Sequence, residues 1–146
     1  MKHRVLVLAG ALLIGGASAL AQQAGDPYVL YVPGPYANLK INQVVKNFEA
    51  NLGSPIPGVV ETTLGHIIWL RLVRPDVNLN SLQDAISNVA ADGATAAIRY
   101  RASLASMVLY SPSLFASLKD HSYVTANDLF TGVSGKAQET LIGQNH

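Results

Sequence analysis

Cysteine is absent from the 146-residue chain, which excludes disulfide scaffolds, thiolate metal sites and cysteine nucleophiles. Charge is scarce. Only 13% of residues are Asp, Glu, Lys or Arg, about half the usual share. The 10 basic and 9 acidic side chains form no long run of either sign. Such a balance gives no electrostatic footprint for nucleic acid and no polybasic patch for a membrane surface. There is no glycine-rich phosphate loop and no internal repeat. What the chain has in quantity is apolar residues, at 49%. That is too many for a disordered polar tail, and the length suits one packed domain rather than two.

The first 21 residues read as a cleaved signal peptide. Lys2, His3 and Arg4 form a basic start, residues 5–16 an uncharged apolar core, and Ala17-Ser18-Ala19-Leu20-Ala21 a small-residue processing site before Gln22. A membrane anchor is the rival reading, but 17 apolar residues lie at the low end for a span. Cleavage would remove Lys2 and Arg4 and take the formal charge from +1 to −1. The expectation is an exported chain, periplasmic or extracellular, with no membrane span after processing.

Residues 22–37 read as an extended arm. Tyr28-Val29-Leu30-Tyr31-Val32 has strand propensity, and Pro33-Gly34-Pro35 stops regular structure. Residues 38–146 form the domain. Ile41, Val44, Val45, Phe48 and Leu52 recur at helical spacing, and Gly53 is expected as a left-handed cap. Residues 59–74 fit either a buried helix or a strand. Their length favours a helix, which Pro75 ends. Residues 75–80 read as a polar turn, and Ser81 with Asp84 as a capping box for a helix bearing Leu82, Ile86, Val89 and Ala90.

Asp92-Gly93 suggests a turn before a helical pattern over residues 94–110, with Ala97, Tyr100, Leu104, Met107 and Val108 on its inner side. Ser111-Pro112 starts a short amphipathic helix through Leu114, Phe115 and Leu118. Thr125 and Asp128 cap a last helix with Leu129, Phe130, Val133, Ala137 and Leu141 inward. The fold expected is mainly α, an irregular bundle of about five helices behind the arm. The alternative is α+β, with residues 28–32 and 66–73 paired in a small sheet.

Catalytic and metal patterns are weak. His66, His121 and His146 have no partner at metal-ligand spacing, so no metal or other cofactor is expected. Gly132-Val133-Ser134-Gly135 approaches a nucleophile elbow, but Lys136 replaces the closing glycine and the setting is helical. Asp76-Val77-Asn78-Leu79-Asn80 imitates the start of a calcium loop, yet Ser81 and Ser87 stand where the sharp turn needs Gly and the closing ligand should be Glu.

The amphipathic aromatics remain as candidate binding residues: Tyr28, Tyr31 and Tyr36 in the arm, Trp69 and Tyr100 in the domain. Two functions follow. The first is a non-enzymatic interaction or accessory protein of the cell envelope, meeting a protein partner or itself. The second is a helical carrier with Trp69, Tyr100 and Met107 around a small apolar ligand.

Overall fold

The computed structural model of the chain describes residues 40–143. The leader, the arm with Tyr28, Tyr31 and Tyr36, and His146 lie outside the described residues. The described chain is mainly helical: α1 (Ile41–Leu52), α2 (Pro57–Val73), a 3-10 turn (Asn80–Leu82), α3 (Gln83–Asp92), α4 (Ala96–Tyr110), a 3-10 helix (Pro112–Asp120) and α5 (Ala126–Gly143). There is no strand among the described residues, and 66–73, one half of the alternative sheet, belongs to α2.

Helix α2 is the axis of the bundle. It packs against α1, α4, α5 and the Pro112–Asp120 segment, and the run from Thr63 to Leu72 is buried except at His66. A helix enclosed this way has no polar face, which is why its pattern gave no clean period. On α1, Phe48 and Leu52 are buried, and Ile41, Val44 and Val45 pack against the same core. Helix α3 packs against α1 and α4.

The turn after α2 hides part of the core. Residues 75–80 do turn, with the Val77 N–H donating to the Arg74 carbonyl (3.1 Å), but not all of the turn is solvated: Val77 and Leu79 are buried while Asp76, Asn78 and Asn80 face solvent. Arg71, itself buried, holds this turn to the helix: its Nη1 donates to the carbonyls of Pro75 (3.1 Å) and Val77 (3.2 Å). Burial pushes its pKa below the ordinary guanidinium value, and its Nε–H, like the indole N–H of Trp69, is buried without a partner among the described residues.

Helix ends separate the expectations further. Thr125 and Asp128 form the reciprocal pair: the Thr125 hydroxyl accepts from the Asp128 N–H (3.1 Å) and the Asp128 carboxylate from the Thr125 N–H (2.9 Å). Ser81 and Asp84 do not. The 3-10 turn takes Ser81 into its own winding, so α3 starts at Gln83 with no side-chain cap, and the Asn78 side chain accepts from the Asn80 N–H instead (3.0 Å). Gly53 is not left-handed either. At φ −85° and ψ 3° it leaves α1 through short-range bonds back to Ala50 and Asn51.

Residues 93–95 make the turn expected at Asp92-Gly93, but α4 begins at Ala96, where the Thr95 hydroxyl accepts from the Ile98 N–H. Gly93 is needed there for space. A Cβ on it would lie 2.5 Å from the Val89 carbonyl oxygen and 2.9 Å from Ile98 Cγ2.

Two faces turn differently from expectation. Winding at three residues per turn aligns Phe115 with Leu118 toward the core and swings Leu114 out. In α4 the buried side is Ile98, Ala102, Leu104, Ala105, Val108 and Leu109, so Ala97, Tyr100 and Met107 are exposed rather than inward. Leu141 is exposed too, in the last turn of α5.

Candidate functional site

Sequence reasoning placed Trp69 and Tyr100 together, and the fold separates them. Trp69 lies in the core, edge-on to Tyr123 with ring centroids 6.0 Å apart. Tyr100 stands on the outer side of α4, where its hydroxyl shares a 2.6 Å hydrogen bond with Ser134 of α5. Met107 lies two turns along α4 from Tyr100. The proposed carrier residues therefore do not line one cavity.

What the fold builds instead is an open groove of about 610 Å³ between the outer sides of α3, α4 and the Pro112–Asp120 helix. Small residues of α3 (Ser87, Ala90, Ala91) form one wall, and Met107, Tyr110 and Leu114 stand on the other. No lysine, arginine, aspartate or glutamate lines it. Along its rim Met107 is 38% exposed, Tyr110 64% and Leu114 45%. Exposed apolar residues scattered singly are ordinary, whereas here three stand together beside an uncharged groove. The expected inner side of α4, Ala97, Tyr100, Leu104, Met107 and Val108, takes in Met107 and leaves out Tyr110; of the five, Leu104 and Val108 are buried and the others exposed.

The charges nearest the groove are held elsewhere. Arg99 donates to the Gly93 carbonyl (2.7 Å). Arg101 pairs with Glu61 of α2 (2.7 Å), donates to Asn127 of α5 (3.0 Å) and lies 5.1 Å over the Phe130 ring. This one side chain ties α2, α4 and α5 together.

The remaining chemical candidates are dispersed. His66 stacks on Phe48 of α1 with centroids 6.4 Å apart, and burial lowers its pKa. Asp76 is gripped by Arg74 through two 2.9 Å bonds, chiefly a hydrogen bond that holds its carboxyl below the usual range. Asn78 is occupied in its turn, so the calcium-like segment presents no ring of oxygens. Among the described residues no three His, Asp or Glu side chains gather as a metal site. Ser134 lies within α5, with no strand-to-helix turn beside it. No helix among the described residues is long and apolar enough to cross a membrane.

No protein-family model, no curated protein and no solved structure matches the chain.

Proposed function

We propose that this is an exported, non-enzymatic interaction or accessory protein of the cell envelope, and that it meets a protein partner through the outer side of α3 and α4. The uncharged groove with Met107, Tyr110 and Leu114 on its rim carries the reading. Interface centres are poor in charge and rich in tyrosine and methionine, because these side chains bury large area at little desolvation cost. Export rests on the basic start, apolar core and Ala-x-Ala ending of residues 1–21. The same groove gives the carrier reading its place, with Met107 but neither Trp69 nor Tyr100 in its lining.

Native mass spectrometry of the protein purified from its source separates the two. A co-purifying protein supports the interaction reading, and a stoichiometric small molecule replaces it with the carrier. Intact mass of the product from a secreting host tests the leader. Loss of residues 1–21 is expected, and a full-length product in the membrane fraction would identify an anchor.

A further inference from the structure

We propose that Pro112–Asp120 is a two-state helix, 3-10 in the structure and α in its alternative, and that its winding sets the rim of the groove. The inference rests on the interaction reading for what the groove does, and adds how the groove is regulated.

Nine residues of this segment are wound at three per turn, where such runs seldom exceed three or four. The bonds at both ends keep that period: the Leu114 N–H donates to the Ser111 carbonyl (3.1 Å) and the His121 N–H to the Leu118 carbonyl (3.3 Å). Nothing local asks for it. From Ser113 to Asp120 there is no glycine and no proline, and Leu114, Ala116, Leu118 and Lys119 all favour an α-helix.

Two features of the sequence suit α winding and go unused. Ser111 before Pro112 is an α-helix start, yet the Ser111 side chain caps no N–H. Leu114, Phe115 and Leu118 are spaced for one face of an α-helix, yet only two of them are buried. At three residues per turn Phe115 and Leu118 align toward the core, and Leu114 stands about a third of a turn away, exposed. In α winding Leu114 and Leu118, four residues apart, would share a face. Rewinding therefore takes Leu114 out of water.

Length opposes it. Nine residues span about 18 Å at the 3-10 rise and about 14 Å at the α rise. The run is held between the end of α4 at Tyr110 and the Thr125–Asp128 pair that starts α5. Residues 121–125 take up the difference, and His121, Ser122 and Val124 among them are exposed. Burial of Leu114 favours one winding and the reach to α5 the other, which is what a two-state element requires.

The groove reads the winding directly. Leu114 and Phe115 are the residues of this run that line it. In the 3-10 state Leu114 stands on the rim with Met107 and Tyr110; in the α state it leaves the rim for the core. A partner whose apolar surface rests on Leu114 binds the 3-10 state and draws the run to it, whereas α winding withholds that contact.

Nuclear Overhauser contacts in the purified chain, with no partner added, distinguish the two windings. Contacts from an α proton to the amide two residues on mark the 3-10 state, and contacts four residues on mark the α state. Both sets are expected across residues 112–120. Leu114→Lys would carry an ammonium toward the core on rewinding, so it should shift the balance at least about tenfold toward the 3-10 state and remove the four-residue set. Its melting temperature should stay near that of the parent chain, because Leu114 is exposed as the structure stands. Ser111→Ala takes away only the unused cap and should weaken the four-residue set without removing it. A run that shows one set alone overturns the proposal, as does a four-residue set that survives Leu114→Lys. A co-purifying protein, or its absence, bears on the interaction reading alone.

Discussion

Helices α2 and α4 are both apolar, and both lack a sharply polar face, for opposite reasons. Around α2 every direction is occupied by a neighbour, and its side chains from Thr63 to Leu72 are buried except at His66. Helix α4 buries only one side, and its other side is filled with Ala, Ser, Tyr and Met where a solvated helix would carry Lys and Glu. In α2 the missing polar face records enclosure by the fold. In α4 the outer side at Ala96, Ala97, Tyr100, Ser103, Met107 and Tyr110 is exposed and free of charge, and the proposed contact rests on that feature.

The sharpest way to break this contrast is to truncate equivalent apolar residues on the two helices. Ile68 of α2 is wholly buried, and Ile68→Ala should cost about 2–5 kcal/mol, from lost transfer energy and the cavity left behind. Met107→Ala on α4 should stay within about 0.5 kcal/mol, the range for surface positions. Urea unfolding measures both. A large loss at Met107 would mean that the outer side of α4 is covered within the monomer.

The joint between α3 and α4 gives the next effect. Gly93→Ala would push a methyl against the Val89 carbonyl and Ile98, so the hairpin must open, at about 1–3 kcal/mol. Gly135, where an added Cβ meets nothing within 4 Å, is the control. Gly135→Ala should stabilise α5 by about 0.5–1 kcal/mol through helix propensity. Opposite signs at Gly93 in the α3–α4 turn and at Gly135 within α5 would confirm that space, and not backbone freedom, fixes Gly93.

Capping sharpens the picture on a smaller scale. Thr125→Ala should cost about 1 kcal/mol, and Ser81→Ala only a few tenths, because only Thr125 accepts an N–H bond. Thermal melts of the two variants would compare them directly. From sequence, the two sites look alike: each places a hydroxyl three residues before Asp. What distinguishes them is upstream. The turn after α2 runs directly into the 3-10 turn Asn80–Leu82, with Leu79 and Leu82 buried, and that winding takes the place of the cap.

The same logic marks what the sequence made legible. The helices of α1, α2 and α5 followed from apolar spacing, run length and the Thr125–Asp128 pair, all of them local. The orientation of α4 was not local. Two apolar stripes share that helix, Ile98-Ala102-Ala105-Leu109 and Tyr100-Met107-Tyr110, and only its neighbours α2, α3 and α5 decide which one turns inward. The expected inner side, Ala97, Tyr100, Leu104, Met107 and Val108, mixes the two faces: Leu104 and Val108 are buried, and Ala97, Tyr100 and Met107 are exposed. Close packing of α4 on α2 selected the side with alanines instead, since small side chains let helix axes approach. The groove, lined by three separate elements, was invisible for the same reason.

The smallest effect sits on α2, where its enclosure meets a titratable group. His66 lies against Phe48 with the rings nearly parallel, and burial lowers its pKa from the ordinary 6.5. In the unfolded chain the imidazole gains its proton as pH falls through about 6.5, while in the folded chain it stays neutral to lower pH. The unfolded state therefore binds more protons in that window, and proton binding there favours unfolding. The contribution of His66 is complete above about pH 6.5, declines as pH falls toward the folded pKa, and is constant below it. Melting temperature should drop between pH 7.5 and the acid side of that window. His66→Phe keeps a ring on Phe48 and removes the proton site, so its melting temperature should change less over the same range. If both chains lose stability in parallel, the proton is taken up elsewhere, and the α1–α2 contact is no more sensitive to acid than the charge-free outer side of α4.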